Sequence, residues 1–175
     1  NFAVTQSVHD PIIKSFRRFF INSAAVQYWP QPSIIKRDIS RKDKLKNIFY
    51  IGKPEQFISE VSKLKSKIKN LGMNFKIVPR EKWNDYSKAD VILAVRPKKV
   101  FNKGGVPSNL NLNKKPASKL LKSWIANVPA ILSPDRAYLD IKKNKYDFLE
   151  ATNVSEIIDQ LNFLKNNRFL YRKMI

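Results

Sequence analysis

Short apolar runs alternate with longer segments of helical periodicity over most of the chain. Ile48-Phe49-Tyr50-Ile51 is a continuous apolar run closed by Gly52, which predicts a strand buried on both faces. Phe57, Ile58, Val61, Leu64 and Ile68 then recur at helical spacing, with Lys63, Lys65, Lys67 and Lys69 mostly off that stripe. This predicts a helix starting near Pro54 and ending at Leu71-Gly72. Met73 to Val78 and Ala89 to Val95 predict the second and third strands, with a polar-aromatic turn at Trp83 to Tyr86 between them. Residues 96–115 read as a long loop holding Gly104-Gly105. A helix over Ala117 to Ala126, with Leu120, Leu121, Trp124 and Ile125 on one face, leads to a fourth strand at Pro129 to Leu132. A short helix over Asp135 to Ile141 and a fifth strand over Tyr146 to Leu149 follow. Asn153-Val154-Ser155-Glu156 has capping-box spacing and opens a helix that buries Ile157, Ile158, Leu161 and Leu164. Phe169 to Ile175 begins a last helix.

Strands that are apolar throughout, alternating with helices, imply a parallel sheet covered on both faces. The fold class expected is α/β, an open doubly wound parallel sheet of Rossmann-like type, preceded by the remnant of a first domain. Residues 1–28 read as a strand at Phe2 to Val4, a helix and another short strand. In that helix Asp10 is the N-cap, Pro11 the first position, and Ile12, Ile13, Phe16, Phe19 and Phe20 the apolar stripe. Trp29-Pro30-Gln31-Pro32 stops regular structure, and the chain from Trp29 to Lys46 reads as a connector. Two units are therefore expected, 1–46 and 47–175.

Composition narrows the chemistry. At 43% hydrophobic residues the chain is too apolar for a disordered tail. Cysteine is absent, which excludes disulfides, thiolate zinc sites and cysteine nucleophiles. His9 is the single histidine, so no histidine metal cluster can form, and His9 is expected not to be a metal ligand. No apolar run approaches the roughly 20 residues of a membrane span. The sequence starts without Met or a secretory signal pattern, and a piece of a longer protein is expected.

The net charge is +20, which attracts phosphates, nucleic acid or anionic lipid. Its distribution says more than its size. The 44 residues between Asp90 and Asp135 hold no acid and eight bases, Arg96, Lys98, Lys99, Lys103, Lys114, Lys115, Lys119 and Lys122. A local anion site accounts for this; so does biased usage, since Lys outnumbers Arg 25 to 9.

Lys115-Pro116-Ala117-Ser118-Lys119 opens a helix. A helix start offers free N–H groups and partial positive charge, Ser118 a hydroxyl, and Lys115 and Lys119 point charges. Basic residues in a first turn oppose the dipole unless an anion sits there. The plainer reading is a helix start with solvated lysines. Neither G-x-x-x-x-G-K-[ST] nor G-x-G-x-x-G is present. Arg96 follows the third strand directly, as a crevice arginine or an ordinary surface cation. Gly52 follows the first, to admit a ligand or simply to turn the chain. No Asp-x-Asp pair is evident for a metal-bridged diphosphate. His9-Asp10 reads as a base with its orienting carboxylate, or as a solvated helix start. Phe16-Arg17-Arg18-Phe19-Phe20 mixes bases and aromatics as nucleic-acid platforms do, but at helical spacing its rings read as core.

The run Lys115-Pro116-Ala117-Ser118-Lys119 to Trp124, followed by Ala126-Asn127-Val128-Pro129-Ala130-Ile131-Leu132, resembles the donor-binding half of bacterial GT-B glycosyltransferases. Trp29-Pro30-Gln31-Pro32, Tyr50-Ile51-Gly52-Lys53-Pro54-Glu55, Trp83-Asn84-Asp85-Tyr86 and Val95-Arg96-Pro97 are similar to further segments of such proteins, and the likeness covers roughly residues 24–170. It implies two Rossmann-like domains facing across a cleft, the second binding a nucleotide-sugar donor. That second domain is nearly whole here, while the first would survive only as residues 1–28, so turnover by this chain alone is not expected. The resemblance assigns Arg96, Lys115, Ser118 and Lys119 to the donor diphosphate, Gly52 and Lys53 to the nucleotide, and Asp135 and Tyr138 to the sugar. It implies no metal and no cofactor, the nucleotide sugar being a substrate. Where retaining members carry two glutamates eight residues apart, this chain has Lys114 and Lys122, so those contacts do not carry over and retaining or inverting chemistry is left open. Asn127 stands where the family usually has glycine.

The expectation is thus a metal-independent glycosyltransferase acting on a glycan or lipid-linked acceptor. It would be cytoplasmic, with peripheral contact to anionic membrane at the inner face. The alternative is a non-enzymatic, Lys-rich nucleic-acid-binding module; the concentration of bases on one segment favours the enzyme.

Overall fold

The structure, a computed structural model, describes residues 2–5, 22–25, 33–54, 57, 60–96 and 116–175. Near the amino terminus β1 (Phe2–Thr5) and β2 (Asn22–Ala25) pair in parallel, Phe2 opposite Asn22. The proposed helix between them, His9, Pro30 and Pro32 lie outside the described residues.

Five further strands form one all-parallel sheet, β3 (Asn47–Ile51), β4 (Asn74–Val78), β5 (Val91–Ala94), β6 (Ala130–Leu132) and β7 (Leu149–Glu150). Their spatial order is β4-β3-β5-β6-β7. The helices are α1 (Val61–Asn70), α2 (Ser118–Ile125), α3 (Arg136–Ile141), α4 (Val154–Asn166) and α5 (Arg168–Met174). The fold is therefore α/β with a Rossmann-like open sheet, as the apolar strand pattern implies.

Alternate residues of each strand feed opposite faces. Ile48, Tyr50, Val91, Leu93, Val95 and Ile131 join Leu64 and Ile68 of α1 and Ile157, Leu161 and Leu164 of α4. On the other face, Ala94, Ala130 and Leu132 pack with Leu120 of α2 and Tyr138 of α3. Ile51 and Ile92 pack there with Tyr86 and Val128. Because β4 and β5 flank β3 on opposite sides, the winding reverses between β3 and β5. In open parallel sheets the ligand crevice lies at the carboxyl ends of the strands beside this reversal.

Two elements differ from the sequence expectation. The first helix starts at Val61, not near Pro54. The Phe57 ring is drawn into the core, its centroid 4.2 Å from that of Tyr50 and 5.7 Å from that of Phe75, and its backbone N–H donates to Pro54 O at 3.0 Å. Ile58 falls outside the described residues. The fifth strand is Leu149–Glu150, later than Tyr146 to Leu149. Asp147 Oδ2 accepts from the backbone N–H groups of Lys143 and Asn144, and Asn144 Oδ1 accepts from Tyr146 N, so this stretch is a turn.

The segment from Ser33 to Lys46 lies against the sheet domain. Ile35 N donates to Asn84 O, Tyr86 N to Ile35 O and Arg37 N to Ala126 O. Its anchor is Asp90, fully buried just before β5. Arg41 reaches both Asp90 oxygens at 2.8 and 2.7 Å, Arg37 Nη2 donates to Oδ1 at 3.1 Å, and Lys46 N and Asn47 N donate to Oδ2 at 2.9 and 2.8 Å. The Tyr171 hydroxyl of α5 donates to Lys44 O at 2.9 Å and accepts from Arg37 at 3.3 Å. This network sits at the amino ends of the strands, opposite the crevice.

Candidate functional site

The carboxyl ends of β3, β5 and β6 and the start of α2 bring five sequence-selected residues together: Gly52, Arg96, Ser118, Lys119 and Asp135. β3 is followed directly by Gly52, whose φ of 154° disfavours a side chain. A Cβ built there would lie 2.7 Å from Lys119 Nζ and 3.0 Å from the Tyr50 hydroxyl oxygen. Lys119 thus extends from the first turn of α2 over the tip of β3, its Nζ 4.5 Å from the Tyr50 ring centroid. The Tyr50 hydroxyl donates to Lys53 O at 2.7 Å and fixes the backbone beyond the turn.

The helix carrying Lys119 starts at Ser118, with Ala117 as N-cap. Alanine has no side chain to cap the first N–H groups, and no side-chain cap hydrogen bond is present. Pro116 precedes the cap, and the helix begins one residue later than the expected Ala117. Ser118 is half-buried, and Lys115 lies outside the described residues.

Arg96 leaves β5 toward the same edge. Its backbone N–H donates to Ser133 Oγ at 3.2 Å, and Ser133 Oγ donates to Ala94 O at 3.3 Å, which stitches the β5 and β6 ends together. The Arg96 side chain is 10% exposed and its Nε lies 3.2 Å from Asp135 Oδ2. Burial pushes the Asp135 carboxyl up from the ordinary carboxylate value, against the opposing pull of Arg96, Ser133 and Lys119. Tyr138, in α3, is enclosed, with its ring edge-on to Phe148 at 6.1 Å between centroids. Burial raises its hydroxyl to about 12. Tyr138 is thus buried, and its hydroxyl faces the Arg96–Asp135 pair.

Lys122 and Asn127, singled out in the sequence, have separate structural roles. Lys122 donates to Asn84 Oδ1 at 2.9 Å, away from the cluster, and burial lowers its ammonium below the ordinary lysine value. Asn127 has φ of 56° at the end of α2, the left-handed conformation that glycine or asparagine takes after a helix. Among the described residues no group of three or more His, Cys, Asp or Glu side chains could hold a metal ion. No described helix is long and apolar enough to cross a membrane.

Sequence reasoning selected Arg96 and Asp135 singly but not as a pair. The proximity of Lys119 to Gly52 was also missed, because nothing local links the first strand with the third crossover. The acid-free interval that ends at Asp135 was the one signal that both belong to one edge. No protein-family model matches this chain, and no curated protein does so either.

Proposed function

We propose that this chain is the donor-binding part of a GT-B-type glycosyltransferase, holding the diphosphate of a nucleotide sugar at the β3–β5 edge. The supporting observation is Lys119, a cation in the first turn of an uncapped helix, extended over a glycine at the winding reversal. A helix start with free N–H groups, a flanking ammonium and a close-approach glycine is the chemistry a phosphate group needs. Lys119, Arg96, Ser118 and, from the sequence, Lys115 neutralise the leaving diphosphate as the glycosidic bond breaks, a stabilisation that side-chain charge alone can supply. Gly52 and Lys53 border the nucleotide, and Asp135 stands nearer the sugar. The acceptor is a glycan or lipid-linked hydroxyl compound, reached at an anionic membrane face to which the net charge of +20 draws the protein.

The test is a panel of nucleotide sugars, free nucleotides and single-stranded nucleic acid in a thermal-shift experiment at low and high salt. Stabilisation by one class of nucleotide-diphosphate sugar that survives high salt is expected. Equal stabilisation by every polyanion, lost at high salt, replaces this reading with a general phosphate binder.

A further inference from the structure

Asp135 occupies the N-cap position of α3, yet its side chain makes no capping hydrogen bond. It turns to Arg96, and both side chains are at least nine-tenths buried. The contact matches charge without matching hydrogen-bond geometry: Asp135 Oδ2 has no hydrogen-bond partner among the described residues. Such a pair is held by Coulomb attraction against a desolvation cost. An anion that meets the guanidinium fork in good geometry can take the carboxylate's place.

The groups facing Asp135 come from two helices and from just beyond the ends of two strands. They are Arg96 beyond β5, Ser133 beyond β6, Lys119 from α2 and the Tyr138 hydroxyl from α3. Arg136, its neighbour, is committed to Asp140 at 3.1 Å in an exposed pair. If Arg96 turns to a ligand, Asp135 becomes a buried carboxylate beside a second anion. Protonating it is then far cheaper than keeping it charged.

We infer that Asp135 is a positioning residue: it holds Arg96 in the free protein, yields it to an anionic ligand, and takes up one proton as it does so. The inference rests on the diphosphate reading above. The proton comes from solvent to the released carboxylate, and no covalent bond changes. Burial already biases this carboxyl toward its neutral form, and loss of Arg96 removes the first of the groups that oppose that bias.

Sulfate is the probe, because it keeps its charge across the range and any pH dependence belongs to the protein. Calorimetry on the full chain in two buffers of different ionisation heat counts the protons taken up, without any variant. Net proton uptake of at most one per sulfate is expected, with affinity falling as pH rises, by at most tenfold per pH unit. Asp135→Asn, a neutral mimic of the protonated side chain, should lose the uptake, flatten the profile and bind more tightly than wild type at the upper pH. His9 is present in both proteins, so its titration cancels in the comparison. Sulfate binding by wild type with no proton uptake, or weaker binding by Asp135→Asn at every pH, overturns the inference alone. If Lys119→Ala binds sulfate as well as wild type, the diphosphate reading falls and takes the inference with it.

Discussion

Lys119 Nζ and Gly52 are so close that the smallest side chain at position 52 would collide with the ammonium, 2.7 Å from the Cβ site. The contact joins the first strand of the sheet to the helix that follows the third. It also means that the two residues can be tested through each other. Gly52→Ala should displace the Lys119 ammonium, the movable partner, and should strain the backbone at φ of 154°. A stability loss of about 1 kcal/mol is expected, small beside the effect on the site. Pyrophosphate affinity should fall about tenfold, as expected when a charge-assisted hydrogen bond is lost. Urea unfolding and calorimetry on one variant separate the two effects. Unchanged pyrophosphate affinity would show that Lys119 does not hold the anion.

Asp90 carries the opposite edge of the domain. Arg37 and Arg41 both bind it, and truncating a partner of a buried charge cluster leaves the others uncompensated. Asp90→Ala should cost about 3–5 kcal/mol in urea unfolding. Burial alone would raise this carboxyl, but Arg41 and the N–H groups of Asn47 and Lys46 outweigh it and hold it below the ordinary value of 3.8. Its folded value is therefore lower than its unfolded value. The stability this gives is present above about pH 4 and is lost as pH falls below that. In Asp90→Asn the acid limb of a stability–pH curve should flatten. A curve parallel to wild type would mean that other carboxylates set it.

Much of the fold follows from local pattern. Apolar runs such as Ile48 to Ile51 require burial on both faces, and only a sheet covered on both sides supplies it. Asn153 and Glu156 cap α4 as their spacing implies, with Asn153 Oδ1 accepting from Glu156 N at 2.9 Å. The site was legible only in part. Side-chain pairs such as Arg41 with Asp90, or Arg96 with Asp135, join residues far apart in sequence, and their meeting depends on strand order. Phe57 is a similar case: its place on a helical stripe says that it is buried, not that the ring seals the core outside any helix. The β7 boundary failed for another reason. Asn144 and Asp147 impose a turn that outweighs the apolar character of Tyr146 and Phe148.

Tyr138 gives a test of burial without partnership. Its hydroxyl is enclosed and has no hydrogen-bond partner among the described residues. Removing an unsatisfied buried hydroxyl relieves a desolvation cost of roughly 1–3 kcal/mol, set against any small void it leaves. Tyr138→Phe should thus be neutral or stabilising in thermal unfolding. The sign at high pH is also fixed. The folded value of about 12 exceeds the ordinary 10.0, so stability from the neutral phenol is intact below pH 10 and is lost as pH rises toward 12. Tyr138→Phe should therefore lose less stability than wild type across that window. A clear loss of stability at neutral pH would reveal a partner for the hydroxyl.

The decisive comparison removes one positive charge from the site and two from a control face. Ser118→Ala with Lys119→Ala strips the hydroxyl and ammonium from the start of α2. Lys63→Ala with Lys67→Ala strips two exposed ammonium groups from α1, where Lys63 makes an exposed pair with Glu60 at 3.0 Å. Exposed pairs of that kind contribute about 0–1 kcal/mol, so the second variant should fold normally. If nucleoside diphosphate is held at the β3–β5 edge, the first variant should lose about ten- to a hundredfold in affinity, from contacts of roughly 1.5–3 kcal/mol each. The second should lose little at moderate salt, because its charges lie on a solvated helix face where screening is strong. Calorimetry with a nucleoside diphosphate at two salt concentrations reads both effects. Equal losses would mean that the protein's overall positive charge binds the ligand and that the β3–β5 edge has no special part in it.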